Sequence, residues 1–185
     1  KIKTGRDDFN EDLHVISEIR KLAGKKFKLR IDANAKWNPD EVVEYLNKLE
    51  SLDIQYAEQP VKNLNDFISL KGKTSIPLAA DESIRNIEDA EAAIFNKAVS
   101  FLILKPMMLG GIIPSLNIAD LAKENGIQSV VTSSFEGVIG RIGAVNAAAF
   151  VNNDLAHGLA TADYFDEEVM PDPFRVSEGK IVFHV

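Results

Sequence analysis

Five residues of two chemical types recur at similar intervals: Lys3, Asp32, Glu58, Asp81 and Lys105, separated by 29, 26, 23 and 24 residues. Three carboxylates that converge repel one another unless a cation sits among them, and hard oxygen ligands suit Mg²⁺, with Mn²⁺ as the alternative. The chain has no cysteine, so no thiolate site competes. A small carboxylate substrate held on such a cation loses its α-proton more readily, because the negative charge that develops is stabilised. A lysine accepts that proton only when neutral, and burial, a dication and a facing ammonium all push a lysine pKa downward. The chemistry to expect is proton abstraction next to a carboxylate.

Each residue also has a plainer reading. A single acid at the end of a strand more often caps a following helix than binds a metal, and Asp32 alone could be such a cap. The ordered set of five is what carries the metal reading. Lys1 lies two residues from Lys3, on the same strand face, and is expected at the site with it. Arg30 and Lys28 could fill a charged lower layer and pair with acids, with Arg30 in a supporting role toward substrate. His14 falls in a helix and His184 near the end of the chain, and both read as incidental. His157 ends an apolar run and is expected to make a structural hydrogen bond, while Met107 and Met108 read as packing beside a pocket.

The elements that must position these residues alternate. Apolar, β-favouring runs occur at Ile2, Phe27 to Ile31, Ile54 to Ala57, Ile76 to Ala79, Val99 to Leu104, Gln128 to Thr132 and Asp154 to Leu159. Helical spacing fills the gaps at Leu13 to Leu22, Ile87 to Phe95, Ile112 to Ala122 and Val138 to Phe150. A further helix is expected to start at Asn38, with Pro39 in its first turn. Such alternation requires parallel strands with right-handed crossovers, in either an open doubly wound sheet or a closed barrel. Each run ends on a polar residue, the series continuing through Ser133 and His157. One functional group per βα unit, at the C-terminal end of its strand, is how a barrel builds an active site. No glycine-rich dinucleotide turn is present, so the barrel is favoured. In an eight-stranded barrel Lys3 and Lys105 stand half a turn apart, with the three acids on the strands between. Lys28, Arg30 and Asp32 share one face, while Ile2, Leu29 and Ile31 point to the helix layer.

With 185 residues, 45% of them hydrophobic, the chain can bury one core but is short for a closed eight-stranded barrel of about 250 residues. It begins at Lys1 in what already reads as a strand, so a preceding part of a longer protein is expected. No apolar run is long enough to span a bilayer, and no charged-then-apolar leader opens the chain, so a membrane is not expected as a partner and the cytoplasm is the expected location. A formal net charge of −7 without clustered Lys and Arg argues against nucleic acid. Assembly into a homo-oligomer is left open.

The set Lys1-Ile2-Lys3, Asp32-Ala33-Asn34, Glu58-Gln59-Pro60, Asp81-Glu82-Ser83 and Leu104-Lys105-Pro106 resembles the enolase superfamily in its muconate-lactonizing branch, over essentially the whole chain. The resemblance implies an α/β fold, the C-terminal TIM-like (β/α) barrel of such an enzyme. Residues 1–185 would form one partial barrel of strands two to eight, without the N-terminal capping domain and first strand. It implies Lys3 and Lys105 as catalytic residues, Asp32, Glu58 and Asp81 as Mg²⁺ ligands, and Lys1, Arg30 and Asn34 near the substrate. Within the branch, Lys105-Pro106-Met107 with Gly110-Gly111, and Thr132 to Glu136 with Gly140, are most similar to the o-succinylbenzoate synthases. Those lyases dehydrate a succinyl-hydroxycyclohexadiene carboxylate in menaquinone synthesis. By that likeness Lys3 takes the α-proton and returns it to the departing hydroxyl, Lys105 steadies the anion, and Gly110, Gly111, Ser133 and Ser134 lie near the succinyl tail. Dipeptide epimerases of the branch carry an Asp-x-Asp on the last strand, where this chain has His157-Gly158-Leu159-Ala160-Thr161. The alternatives implied are an N-acylamino acid racemase, such as an N-succinylamino acid racemase, a dipeptide epimerase, or an inactive barrel fragment.

Overall fold

In a computed structural model that describes residues 1–165 and 169–182, six strands lie side by side in chain order, all parallel. They are β1 (Ile2–Lys3), β2 (Leu29–Asp32), β3 (Ile54–Glu58), β4 (Leu78–Ala80), β5 (Phe101–Leu104) and β6 (Gln128–Val131). A helix follows each strand: α1 (Phe9–Ala23), α2 (Val42–Leu49), α3 (Leu64–Leu70), α4 (Ile87–Phe95), α5 (Ile112–Glu124) and α6 (Val138–Val151). His184 lies outside the described residues, and among these no helix is long and apolar enough to cross a membrane.

Local chemistry sets the helix ends. The Asp8 side chain accepts from the Asn10 backbone N–H, Glu11 and Asp12 sit in the first turn of α1, and Arg20 and Lys21 in the last, each matching the helix dipole. Asn63 and Asn86 cap α3 and α4 in the same way, accepting from Asp66 and Asp89. The helix expected from Asn38 starts later. Asn38 Oδ1 accepts from Asp40 N–H and its carbonyl from Glu41 and Val42, so a separate turn precedes α2. Helix α3 has no counterpart among the expected elements, although Leu64, Phe67 and Ile68 follow helical spacing behind an Asn cap.

Two apolar layers flank the sheet. Leu29, Ile31, Leu102, Leu104 and Val131 pack outward with Ile16, Leu46, Phe67, Ile94 and Ile118 of the helices. The other face gathers Tyr56, Ala79, Phe101, Ile103 and Val130, with Leu155 against them. Period two therefore sends Arg30 and Asp32, Tyr56 and Glu58, and Ile103 and Lys105 to one side, as alternation requires.

The seventh expected strand, Asp154 to Leu159, forms only an isolated parallel bridge between Thr132 and Gly158. The reason lies in two side chains that take up ladder positions. His157 Nδ1 accepts from the Val131 N–H at 2.9 Å. The Ala156 carbonyl is taken at 2.7 Å by Arg30 Nη1, while Arg30 Nε bonds Gln55 and its guanidinium lies 4.8 Å from the Tyr56 ring centroid. Past this segment, the fully buried Arg141 of α6 pairs with Asp172 and donates to the Leu159 and Phe174 carbonyls, fastening the chain's last described stretch.

Candidate active site

Register puts the first three functional residues on one level. Lys3 is the Cα partner of Asp32, and Asp32 of Glu58. Glu58 pairs with Ala79, so Asp81 stands two residues further along β4's direction and keeps the same facing. Ala80 pairs with Leu102, which by the same offset leaves Lys105, just past β5, on that facing too. The site climbs in two-residue steps across the strand ends, as the stagger of a curled parallel sheet demands.

Each carboxylate holds a lysine. Lys3 Nζ lies 2.6 Å from Asp32 Oδ2, Lys1 Nζ 2.6 Å from Glu58 Oε1 and 3.2 Å from Asp32 Oδ2, and Lys105 Nζ 2.6 Å from Asp81 Oδ2. The acids are buried at their side chains, 1% exposed for Asp32 and Glu58 and 5% for Asp81, whereas Lys3 is 64% exposed. Turned onto the lysines in this way, no three acidic or histidine side chains among the described residues form a metal-ligating group.

The electrostatics show what that pairing leaves unsatisfied. Burial pushes the Glu58 carboxyl up to about 8, with the Asp32 charge adding to the effect and the Lys1 ammonium opposing it. Burial works on Asp32 too, but the Lys3 hydrogen bond and the Lys1 charge outweigh it and hold Asp32 below the usual range. Asp81 is raised by burial despite Lys105. Lys1 is held above the ordinary lysine value, the charges of Glu58 and Asp32 overcoming its own burial. Glu58 Oε2 is buried with no hydrogen-bond partner. A buried carboxylate oxygen without a partner is costly, and a hard cation is a group whose chemistry would satisfy it.

The surrounding residues divide. Asn34, with φ 44°, accepts from Lys3 Nζ at 2.7 Å and donates to Glu82 at 2.9 Å, so the structure sets it on the lysine. Gly110 and Gly111, at φ 87° and 119°, carry the chain from Lys105 into α5, a path that side chains resist. The Ser133 hydroxyl accepts from Phe135 N–H and Thr161 Oγ1, and Ser133 lies one residue past Thr132, which carries the inward phase of β6 and has a buried, unpartnered Oγ1. Ser134 also keeps an unpartnered buried hydroxyl, while its N–H is held by Glu136. Arg30 sits below the acids, bound to Gln55 and Ala156.

One buried residue carried no assigned role in the sequence. Gln59 is fully buried, and its side chain makes four hydrogen bonds: Oε1 accepts from Asp81 N–H at 2.8 Å and Ser83 N–H at 3.2 Å, and Nε2 donates to the Val61 carbonyl at 2.8 Å and to Ser83 Oγ at 2.6 Å. Only its place between Glu58 and Pro60 hinted at it.

A parallel α/β sheet that presents lysine, three acids and lysine from five successive strand ends has the layout of a barrel domain with its polar residues gathered at one end. The chain belongs to the enolase C-terminal domain-like family, whose pattern matches residues 1–184. It is 33% identical to an o-succinylbenzoate synthase of Thermobifida fusca over 95% of this chain and 54% of that protein. It is 37% identical to an L-Ala-D/L-Glu epimerase of Clostridium acetobutylicum over 80% of this chain and 42% of that one. Among solved structures, the muconate lactonizing enzyme of Pseudomonas putida superposes with a TM-score of 0.88 at 26% identity, covering 97% of this chain and 51% of that one. The chain thus spans about half the length of these relatives.

Proposed function

We propose that the protein is a Mg²⁺-dependent carbon–oxygen lyase that removes a proton α to a carboxylate and expels a hydroxyl, the reaction of an o-succinylbenzoate synthase. The observation that carries the reading is the order of the site, with Lys3 and Lys105 on either side of Asp32, Glu58 and Asp81. Likeness to the Thermobifida fusca enzyme along nearly all of the chain supports it.

Asp32, Glu58 and Asp81 would hold Mg²⁺, or Mn²⁺ in its place. When bound, the cation supplies positive charge that favours loss of a proton next to a carboxylate. Lys3, the most exposed of the three lysines, takes the α-proton as its C–H bond breaks and returns it to the hydroxyl as the C–O bond breaks, so water leaves and the ring becomes aromatic. Lys105, on the far side of the acids, faces the developing negative charge as an ammonium. Asn34 keeps Lys3 in place through its amide oxygen. Incubating the full-length protein with the succinyl-hydroxycyclohexadiene carboxylate and Mg²⁺ tests the reading: o-succinylbenzoate should accumulate, and its absence would sink the proposal.

The greater identity to the Clostridium acetobutylicum epimerase keeps a second reading, a racemase or epimerase of N-acylated amino acids or dipeptides in which both lysines act as bases. The stretch Gly158 to Thr161 offers no acid for a substrate amine, and Thr161 is spent on Ser133. Exchange of an α-proton in deuterated water, lost on either Lys3→Ala or Lys105→Ala, would favour this reading over dehydration.

A further inference from the structure

Gln59 touches every segment that carries an acid of the site. Its carbonyl accepts from Ala35 N–H at 2.7 Å, in the turn that follows Asp32, and its N–H donates to the Ala79 carbonyl of β4 at 2.8 Å. The preceding carbonyl, that of Glu58, accepts from Ala33 at 3.1 Å. The side chain then reaches past β4 and gathers the Asp81 and Ser83 amides on one oxygen. A primary amide has two donor hydrogens and an acceptor oxygen with two lone pairs, and here all four positions are filled. Gln59 does this at φ 38°, a left-handed conformation that costs energy for a residue with a side chain. A buried, fully bonded amide thereby adds four side-chain bonds at two strand ends whose ladder pairs Ala57 with Leu78 and Glu58 with Ala79.

We propose that Gln59 is a positioning residue that sets the separation of Glu58 and Asp81, and through Ala35 that of Asp32, so that three acids on three strands present one binding site to a divalent cation. The inference rests on the metal-dependent reading above and extends it to a residue that does not itself ligate. Shell residues that orient metal ligands typically change affinity by about 10- to 100-fold when lost. Neither Asn, one methylene shorter, nor an apolar isostere can make the four bonds.

Mn²⁺ serves as the probe, because its free and bound forms are distinguished by electron paramagnetic resonance without reference to turnover. In the full-length protein, Gln59→Met should weaken Mn²⁺ binding about tenfold or more and broaden the spectrum of the bound ion, while near-ultraviolet circular dichroism stays that of the folded protein. A purely structural role would lower the melting temperature and leave the affinity of the folded protein unchanged; Mn²⁺ affinity within about twofold of wild type would overturn the inference. Should Gln59→Met fail to fold, Ser83→Ala, which removes one acceptor at the edge of the network, decides it: a severalfold loss supports the role and none overturns it. Failure of the wild-type protein to bind Mn²⁺ would instead remove the metal-dependent reading and the inference together.

Discussion

Lys105 and Asp81 meet at 2.6 Å across the ends of β5 and β4, and the same distance separates Lys3 from Asp32 on the other side of the site. Each ammonium occupies a carboxylate oxygen that a dication would claim. Lysine and cation would compete for the acids, and a bound cation would leave the amines free for substrate. Mg²⁺ should therefore bind more tightly to Lys105→Met than to the wild type, by calorimetric titration, even as the variant loses activity. Equal or weaker binding would show that the ion pair does not oppose the metal.

Removal of either amine should be severe for turnover. General acid–base groups contribute about 100- to 10,000-fold, so Lys3→Ala should lower kcat for dehydration by that range with little change in KM. Steady-state kinetics on the cyclohexadiene substrate would check it, and a variant within about tenfold of wild type would exclude Lys3 as the base.

The metal-free protein should show a distinctive pH dependence. Folded Glu58 titrates near 8 and an ordinary glutamate near 4.5. Between those values the folded chain keeps a proton that the unfolded chain has lost, so stability falls as pH rises. Asp81, also raised, acts in the same direction. His157 acts in the opposite sense, because burial and then the Arg30 charge hold it below 6.5, but its influence ends once the unfolded imidazole is neutral. From about pH 6.5 to about 8 the urea midpoint in EDTA should decline, and Glu58→Gln should flatten the decline. A wild-type midpoint that rises over this interval would contradict the placement of Glu58.

Two arginines brace the last part of the chain, with different expected costs. Arg141 is buried against an equally buried Asp172, and Arg141→Met would strand that carboxylate, destabilising the fold by about 3–5 kcal/mol. Arg30→Met removes bonds to Gln55 and Ala156 from a half-buried position, at about 1–3 kcal/mol. Denaturant unfolding of both variants should preserve that order.

Periodicity made most of the scaffold readable, since strands with Leu29 and Ile31 on one face and Arg30 and Asp32 on the other can be oriented without coordinates. The limits have physical causes. Helix α3 spans only Leu64–Leu70, too short for its spacing to stand out. Thr132 carries the inward phase of β6 and Ser133 does not, a distinction that needs the strand's exact end, because a shift of one residue reverses which side chain faces inward. Residues 154–159 have strand-like composition, but His157 and Arg30 take up hydrogen bonds that a ladder would have used. The five acids and lysines were legible as a set because each closes its own strand. Their pairing was not, since nothing local in the chain says which lysine reaches which acid. Gln59 looked like any polar residue after a strand, and its four bonds go to backbone groups of Val61, Asp81 and Ser83 and to the Ser83 hydroxyl, three of them 22 or 24 residues away.

The bond from Arg30 to the Ala156 carbonyl joins residues 126 positions apart in the chain. A contact of that separation closes a long loop before it stabilises anything, so it is expected to form after the strands between are in place. An interaction made late in folding acts on the rate of unfolding rather than of folding. Arg30→Met should therefore speed unfolding and leave refolding nearly unchanged, which stopped-flow kinetics would register, so the residue that ties the last part of the sheet to the first serves as a brake on its opening.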